Sequence, residues 1–165
     1  MPVSDLRQKL QDALANAGGA SSDFDLNPDV KAPVGKLTPA AVLIGIRAET
    51  QSVILTKRAA RLKHHPGQIA FPGGKQDPTD TTLIDAALRE AHEEIGLPAN
   101  LVDVLGELPP HQTVTGYQVT PVLALITGHY EVVAEAGEVS EVFEVPLAHV
   151  LDPNMYGIEG RYWQG

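Results

Sequence analysis

Near the start of the chain, apolar residues recur at helical spacing: Leu6, Leu10, Ala13 and Leu14 share one stripe between Asp5 and Ala17, which predicts an amphipathic helix. Ser4 stands where an N-cap would, and Gly18 and Gly19 stand where the helix must stop. Residues 20 to 39 mix Ser, Asp, Asn and Pro with no period and read as a surface connection. The chain thus divides into residues 1–38, a helix with its connecting segment, and residues 39–165, a single globular domain. Ala41 to Ile46 is an apolar run suited to a strand covered on both faces, and Ser52 to Thr56 suits its neighbour across a turn at Ala48 to Gln51. Residues 66 to 74, PGQIAFPGG, combine a short strand with a tight turn, and Thr82 to Ile95 is helical, ended by Gly96 and Pro98. Strand patterns follow at Leu101 to Leu108, Val119 to Ile126, Tyr130 to Ala134 and Val142 to Val145, and Pro146 to Leu151 reads as a short helical turn. Strands interrupted by helices predict an α/β domain with a mixed sheet flanked by helices.

Composition narrows the chemistry. A chain of 165 residues, 43% of them hydrophobic, is enough for one self-sufficient core. The absence of cysteine excludes a disulfide scaffold, a thiolate metal site and a cysteine nucleophile, and favours an intracellular, cytoplasmic setting. The longest apolar run, Ala40 to Ile46, falls far short of the ~20 residues of a membrane span, and no basic-then-apolar leader opens the chain. A soluble protein with no membrane partner is expected. With 12 Lys plus Arg against 21 Asp plus Glu, the net charge of −9 also argues against nucleic acid as a partner. An anionic substrate therefore needs a local exception. Five of the twelve basic residues, Lys57, Arg58, Arg61, Lys63 and Lys75, lie within nineteen positions, and immediately downstream the sign reverses with Asp77, Asp80, Asp85, Glu90, Glu93 and Glu94.

At about 100° per residue, Glu90, Glu94 and Glu93 lie within about 100° of one another on the second helix, beside an apolar stripe of Ile84, Ala87, Leu88, Ala91 and Ile95. Like charges at i, i+3 and i+4 repel by about 0.2–0.5 kcal/mol per pair, and a divalent cation turns that repulsion into coordination. Hard oxygen donors without cysteine or clustered histidine suit Mg²⁺ or Mn²⁺ rather than Zn²⁺. A Glu-rich helix face is by itself most often a solvated one. What singles this one out is its entry through Gly73, Gly74 and Lys75, a turn whose backbone can approach a phosphate or metal closely.

Residues Arg89-Glu90-Ala91-His92-Glu93-Glu94-Ile95-Gly96-Leu97 resemble the second half of the box of the Nudix hydrolases, REUxEExGU, where U is bulky or apolar. The first half departs from the pattern: Asp80 replaces the usual Glu five residues after Gly74, and eight residues rather than seven separate it from Arg89. Upstream, LTKRAARLKHHPGQIAFPGGK, from Leu55 to Lys75, is similar to the signature LLTxRSxxLRxHxGQxxFPGG of the Nudix subfamily that hydrolyses coenzyme A, whose box also tends to be Asp-rich and one residue longer. The family resemblance implies an α/β/α sandwich around a mixed β-sheet. The subfamily resemblance implies metal-dependent cleavage of coenzyme A or acyl-CoA to 3',5'-ADP and (acyl-)4'-phosphopantetheine. Other Nudix substrates, such as ADP-ribose or a nucleoside triphosphate, and a non-catalytic binding module are the rival readings. The module is disfavoured because all three box glutamates are kept. The family usually continues past the equivalent of Tyr162 and Trp163 with a strand and a helix, whereas this sequence stops at Gly165, and homodimer formation is compatible with the pattern.

Roles follow residue by residue. Glu90 and Glu94, one turn apart, are the expected metal ligands on spacing and on resemblance. Glu93 either completes the metal cluster or serves as general base. Arg89 is expected to orient Glu93 or Glu94, and Gly74 either lends its carbonyl to the metal or serves only the turn. Arg58, Arg61 and Lys63 either meet substrate phosphates or balance the acidic helix, with His65 and Gln68 as further motif positions on the substrate side. Glu138 and Glu141 lie in a late acidic segment that in Nudix folds can reach the site; for each, an ordinary solvated role is the expectation.

Overall fold

The computed structural model describes residues 1–32 and 35–159. Helix α1 spans Val3–Ala15, preceded by Pro2. Ser4 therefore lies within its first turn, bonded to Asp5, and is not the cap, and the helix ends before Gly18. The segment read as a featureless connection contains strand β1 (Ser21–Ser22) and a 3₁₀ turn over Asp23–Leu26, closed by a capping box between Ser22 and Asp25. Strands β2 (Thr38–Arg47), β3 (Ser52–Arg58), β4 (Ile69–Ala70) and β5 (Gly73–Lys75) lead to helix α2 (Leu83–Ile95). Then come β6 (Val102–Glu107), β7 (His111–Gln112), β8 (Tyr117–Ile126), β9 (Val139–Pro146) and helix α3 (Leu147–Leu151). Tyr130 to Ala134 is not a strand: the Val133 amide bonds the end of α2 instead of a ladder. Tyr162 and Trp163 lie outside the described residues.

The strands form one mixed sheet. Its spine is the parallel pair β2 and β8, in register from Thr38 opposite Tyr117 to Arg47 opposite Ile126. β2 and β3 pair only at their hairpin end, Ile46 with Val53 and Arg47 with Ser52, and then splay. Into the gap fold β5, paired with β2, and β4, paired with β3. β9 extends the β3 side, while β6 and β7 pair with β8 and β1 with β7.

Alternation along the strands sorts the core into two layers. Ala41, Leu43, Ile54, Val122, Ala124 and Ile126 face α2, where Ala86, Ala87, Ala91 and Ile95 meet them. Ile46, Val53, Leu123 and Leu125 face the other way, onto Leu6 and Leu10 of α1. Arg7 pairs with Asp103 of β6, which anchors α1 across the sheet. The first helix is thus one layer of the sandwich. Among the described residues no helix is long and apolar enough to cross a membrane.

Candidate active site

Helix α2 starts on a reciprocal capping box, in which Thr82 Oγ1 accepts from Asp85 N–H at 3.1 Å and Asp85 Oδ2 from Thr82 N–H at 3.1 Å. It ends on Gly96 in the left-handed conformation at φ 74°. Three alanines on its inner face, all fully buried, let the helix axis approach the sheet closely. Glu94, on the edge of that face, is only 5% exposed, and its Oε2 accepts a hydrogen bond from Gly73 N–H at 3.0 Å. Glu90 reaches the adjoining residue. A Cβ at Gly74 would lie 2.6 Å from Glu90 Oε1, and one at Gly73 would lie 2.3 Å from the carbonyl oxygen of Ala41. The two glycines are required because β5 is squeezed between β2 and the carboxylates.

A third carboxylate arrives from far along the chain. The segment after β8 turns its amides onto the last carbonyls of α2, with Val133 N–H to Ile95 O at 3.1 Å and Glu135 N–H to Glu94 O at 2.9 Å. Glu135 in turn accepts from Glu138 and Val139, and Ala59 N–H donates to Glu138 O at 2.9 Å. So fixed, Glu138 offers a carboxylate oxygen to the same spot: one oxygen each from Glu90, Glu94 and Glu138 lie within 4.8 Å of one another. Glu138 is exposed, as expected of a surface acid, and one of its carboxylate oxygens lies beside those of Glu90 and Glu94. Glu141 stands opposite Lys57 in the β3–β9 ladder and is not part of the group.

Electrostatically the group is overcharged. Burial, with the charges of Glu90 and Glu138 adding to it, pushes the Glu94 carboxyl up to about 8 against the opposing hydrogen bond from Gly73. Burial also raises Glu90, while Arg89 works against the shift. An all-oxygen, partly desolvated donor set with this charge fits a hard divalent cation such as Mg²⁺ or Mn²⁺.

Arg89 organises the rim. Its Nε and Nη2 grip Asp80 at 3.0 and 2.9 Å, Nη2 also donates to Lys75 O at 3.1 Å, and Nη1 donates to Glu90 and Glu93 at 3.2 Å each. The guanidinium so ties the turn after β5 to the helix and holds Asp80 below the usual carboxylate range. It touches Glu93 but not Glu94, whose partner is the Gly73 amide. Glu93 itself is exposed and lies outside the three-carboxylate group. The sequence marks Asp80 as one of the acidic run and as a departure from the box, and its role as the partner of Arg89 emerges only in the structure.

The basic segment forms the opposite wall. Between β3 and β4 the chain makes an excursion closed at its base by Arg58 N–H to Gln68 O at 2.9 Å and Gly67 N–H to Arg58 O at 3.1 Å. His65 turns it at φ 52°, a left-handed conformation that strains a non-glycine residue. Arg58 is half-buried and near enough to lower Glu94, Arg61 donates to Ala136 O at 2.7 Å, and Lys63, His65 and Gln68 are exposed. The structure thus brings Glu90, Glu94, Glu138, Gly74 and Arg89 together, places Arg58 beside them, and leaves Lys63, His65 and Gln68 on the loop.

A NUDIX domain model matches residues 36–161. The uncharacterized Nudix hydrolase NudL of Enterobacter sp. (strain 638) is 46% identical over 147 residues, 84% of this chain and 77% of the relative, and that of Escherichia coli O7:K1 is 48% identical over 132 residues, 79% and 69%. Among solved structures, the Mycobacterium smegmatis Nudix hydrolase RenU superposes with a TM-score of 0.54 at 26% identity, covering 73% of this chain and 78% of its own. The NUDIX domain of Shewanella oneidensis NrtR, complexed with ADP ribose, superposes with a TM-score of 0.51 at 25% identity, covering 78% and 84%. With two box carboxylates, Glu90 and Glu94, brought together on a capped helix and the family model spanning most of its length, the chain belongs to the Nudix hydrolases, enzymes that hydrolyse pyrophosphate-type anhydrides.

Proposed function

We propose that this Nudix hydrolase cleaves the diphosphate of coenzyme A or an acyl-CoA, yielding 3',5'-ADP and (acyl-)4'-phosphopantetheine. The observation that carries this reading is the placement of the Leu55–Lys75 segment: the coenzyme A-type signature forms the wall next to the carboxylates, pinned there by the Ala59–Glu138 bond. Glu90, Glu94 and Glu138 hold the divalent ion, which when bound neutralises diphosphate charge and lowers the pKa of water. Glu93, exposed and kept in place by Arg89, takes the proton from the water that attacks one phosphorus. The P–O–P bond breaks and the other phosphate leaves with the bridging oxygen. Arg58, Arg61 and Lys63 supply the local cations that an acidic protein needs for so charged a substrate, while His65 and Gln68 shape the loop that presents them.

The test is incubation with CoA and millimolar Mg²⁺ or Mn²⁺, with and without chelator, products being separated by chromatography. ADP-ribose and nucleoside triphosphates complete the panel. We expect chelator-sensitive release of 3',5'-ADP and the highest kcat/KM for CoA or an acyl-CoA. Faster turnover of ADP-ribose would favour the second reading, supported by the ADP ribose complex of the NrtR domain.

A further inference from the structure

The arginines of the described residues differ in how well the protein itself satisfies them. Arg7, Arg47 and Arg89 are ion-paired with Asp103, Glu144 and Asp80, and Arg61 donates to the Ala136 carbonyl at 2.7 Å. Arg58 is the exception. Its Nε is shut off from solvent with no acceptor, and Nη2, towards the surface, has a single long bond of 3.4 Å to His64 O. Among the described residues Arg58 forms no ion pair. A half-buried guanidinium of this kind has lost water without gaining acceptors for its five N–H donors, a mismatch that a bound anion corrects.

The backbone seats this group beside the carboxylates. Ile54 of β3 faces α2, and alternation along the strand puts Thr56 and Arg58 on that same face. Arg58 N–H donates to Gln68 O at 2.9 Å, Arg58 O accepts from Gly67 N–H at 3.1 Å, and the next residue, Ala59, donates to Glu138 O at 2.9 Å. Across the ladder Arg58 stands opposite Val139, the neighbour of Glu138. Its charge is near enough to Glu94 to oppose the upward shift of that carboxyl. The guanidinium is thus held next to the three-carboxylate group without being spent on it.

We propose that Arg58 is a catalytic residue that grips the substrate's diphosphate from the β3 side and stabilises the charge that grows there as the P–O–P bond breaks. The electron pair of that bond stays on the bridging oxygen of the leaving phosphate, and a forked donor with little freedom to move is suited to meet it. The assignment rests on Glu90, Glu94 and Glu138 being the metal site, and it applies to any diphosphate the protein cleaves, CoA or ADP-ribose. It also sets Arg58 apart from Arg61 and Lys63, which are exposed and act on binding through screened charge.

Arg58→Gln and Arg58→Lys are compared with the parent on CoA, 3'-dephospho-CoA and ADP-ribose in saturating Mg²⁺. In Arg58→Gln we expect kcat to fall about a hundredfold on every substrate the parent cleaves, the scale of one lost transition-state donor, and equally at low and high salt. Arg58→Lys, which keeps the charge but not the fork, should lose less. Guanidinium below denaturing concentration should restore part of the activity of Arg58→Gln and none of that of Glu94→Gln. Independently of turnover, the rise in melting temperature that the uncleavable methylenediphosphonate gives with Mg²⁺ should shrink in Arg58→Gln, while the melting curve without ligand changes little. A loss seen with CoA but not with 3'-dephospho-CoA would assign Arg58 to the 3'-phosphate and overturn the proposal. A loss that more Mg²⁺ abolishes would make it a positioning residue for the metal ligands and overturn it as well, as would an unchanged kcat or an unchanged methylenediphosphonate shift. If the parent cleaves ADP-ribose and leaves CoA intact, the coenzyme A reading fails, and the same comparison on ADP-ribose decides the role of Arg58.

Discussion

The two walls of the active site are built in opposite ways. On the acidic wall the two helix carboxylates are positioned by a specific donor or by packing, Glu94 on the Gly73 amide and Glu90 against Gly74, and the backbone of Glu138 is fixed by hydrogen bonds to Glu135 and Ala59. On the basic wall Arg61 reaches a backbone carbonyl from an exposed position, and Lys63 and His65 extend into solvent from a loop tied at its base. Packed groups cannot relax around a substitution, whereas exposed charges move freely and are screened. Chemistry should therefore depend steeply on the first wall and gently on the second, and substitutions can separate them.

The steepest effect is expected at Glu94. Glu94→Gln keeps an oxygen for the Gly73 amide but removes the charge, and kcat with Mg²⁺ should fall by two to three orders of magnitude, the scale of lost electrostatic stabilisation. Metal-free stability should hold or rise, since the charge is disfavoured where it lies. A variant as active as the parent would remove Glu94 from the metal site. Gly74→Ala comes next, with about a hundredfold loss, because a 1 Å displacement of Glu90 is enough to disturb positioning. Restoration of activity in Gly74→Ala/Glu90→Asp, whose shorter side chain makes room, would show that the effect runs through that carboxylate.

The pH dependence of stability sharpens the same contrast. In chelator, the Glu94 carboxyl keeps its proton up to about 8, above its ordinary value, so its contribution is complete below about pH 4.5 and is lost as pH rises to 8. The metal-free melting temperature should fall by several degrees from pH 5.5 to 8.5, and Glu94→Gln should flatten that slope. With millimolar Mg²⁺ the slope should shrink or reverse, because the bound ion requires the ionised carboxylate and stabilises the fold by mass action. Parallel melting curves with and without metal would rule out a preformed site.

Asp80→Asn should lower kcat about tenfold at most, since it frees Arg89 without touching the ligands. A loss as large as that of Glu94→Gln would mean that Asp80 lies in the chemistry itself. The smallest effects belong to the basic wall. Removing Arg61 or Lys63 singly should cost about two- to fivefold of the preference for CoA over 3'-dephospho-CoA, as for exposed pairs of 0.2–1 kcal/mol, and the loss should fade at high salt. Equal kcat/KM for the two substrates in the parent at low salt would make these residues a counterweight to the acidic helix and nothing more.

How far the sequence reached can be judged residue by residue. The α2 boundaries, its glycine stop, the Glu90–Glu94 pair and the glycine turn were legible because each depends on residues within a few positions of one another. The β2–β3 hairpin and the long apolar strand β8 were legible for the same reason. Tyr130 to Ala134 misled: a strand-like composition became a strap over the end of a helix, because the unsatisfied carbonyls of α2 were the nearest acceptors. Ser4 misled more simply, as a capping residue type one position inside a helix that Pro2 had already started.

By itself, then, the sequence determined what local interactions determine: the period of the main helices and strands, the glycine that ends α2, the dipolar run of basic and acidic residues, and two box carboxylates one helical turn apart. Only the tertiary structure decided that Glu138 joins those two, that Glu93 stays outside, that Asp80 is the partner of Arg89, and that Arg58 lies beside Glu94. Those facts depend on strand register and on loops that satisfy distant backbone groups. No short-range pattern carries them, because the contacts that fix them join segments the chain keeps far apart until the sheet closes.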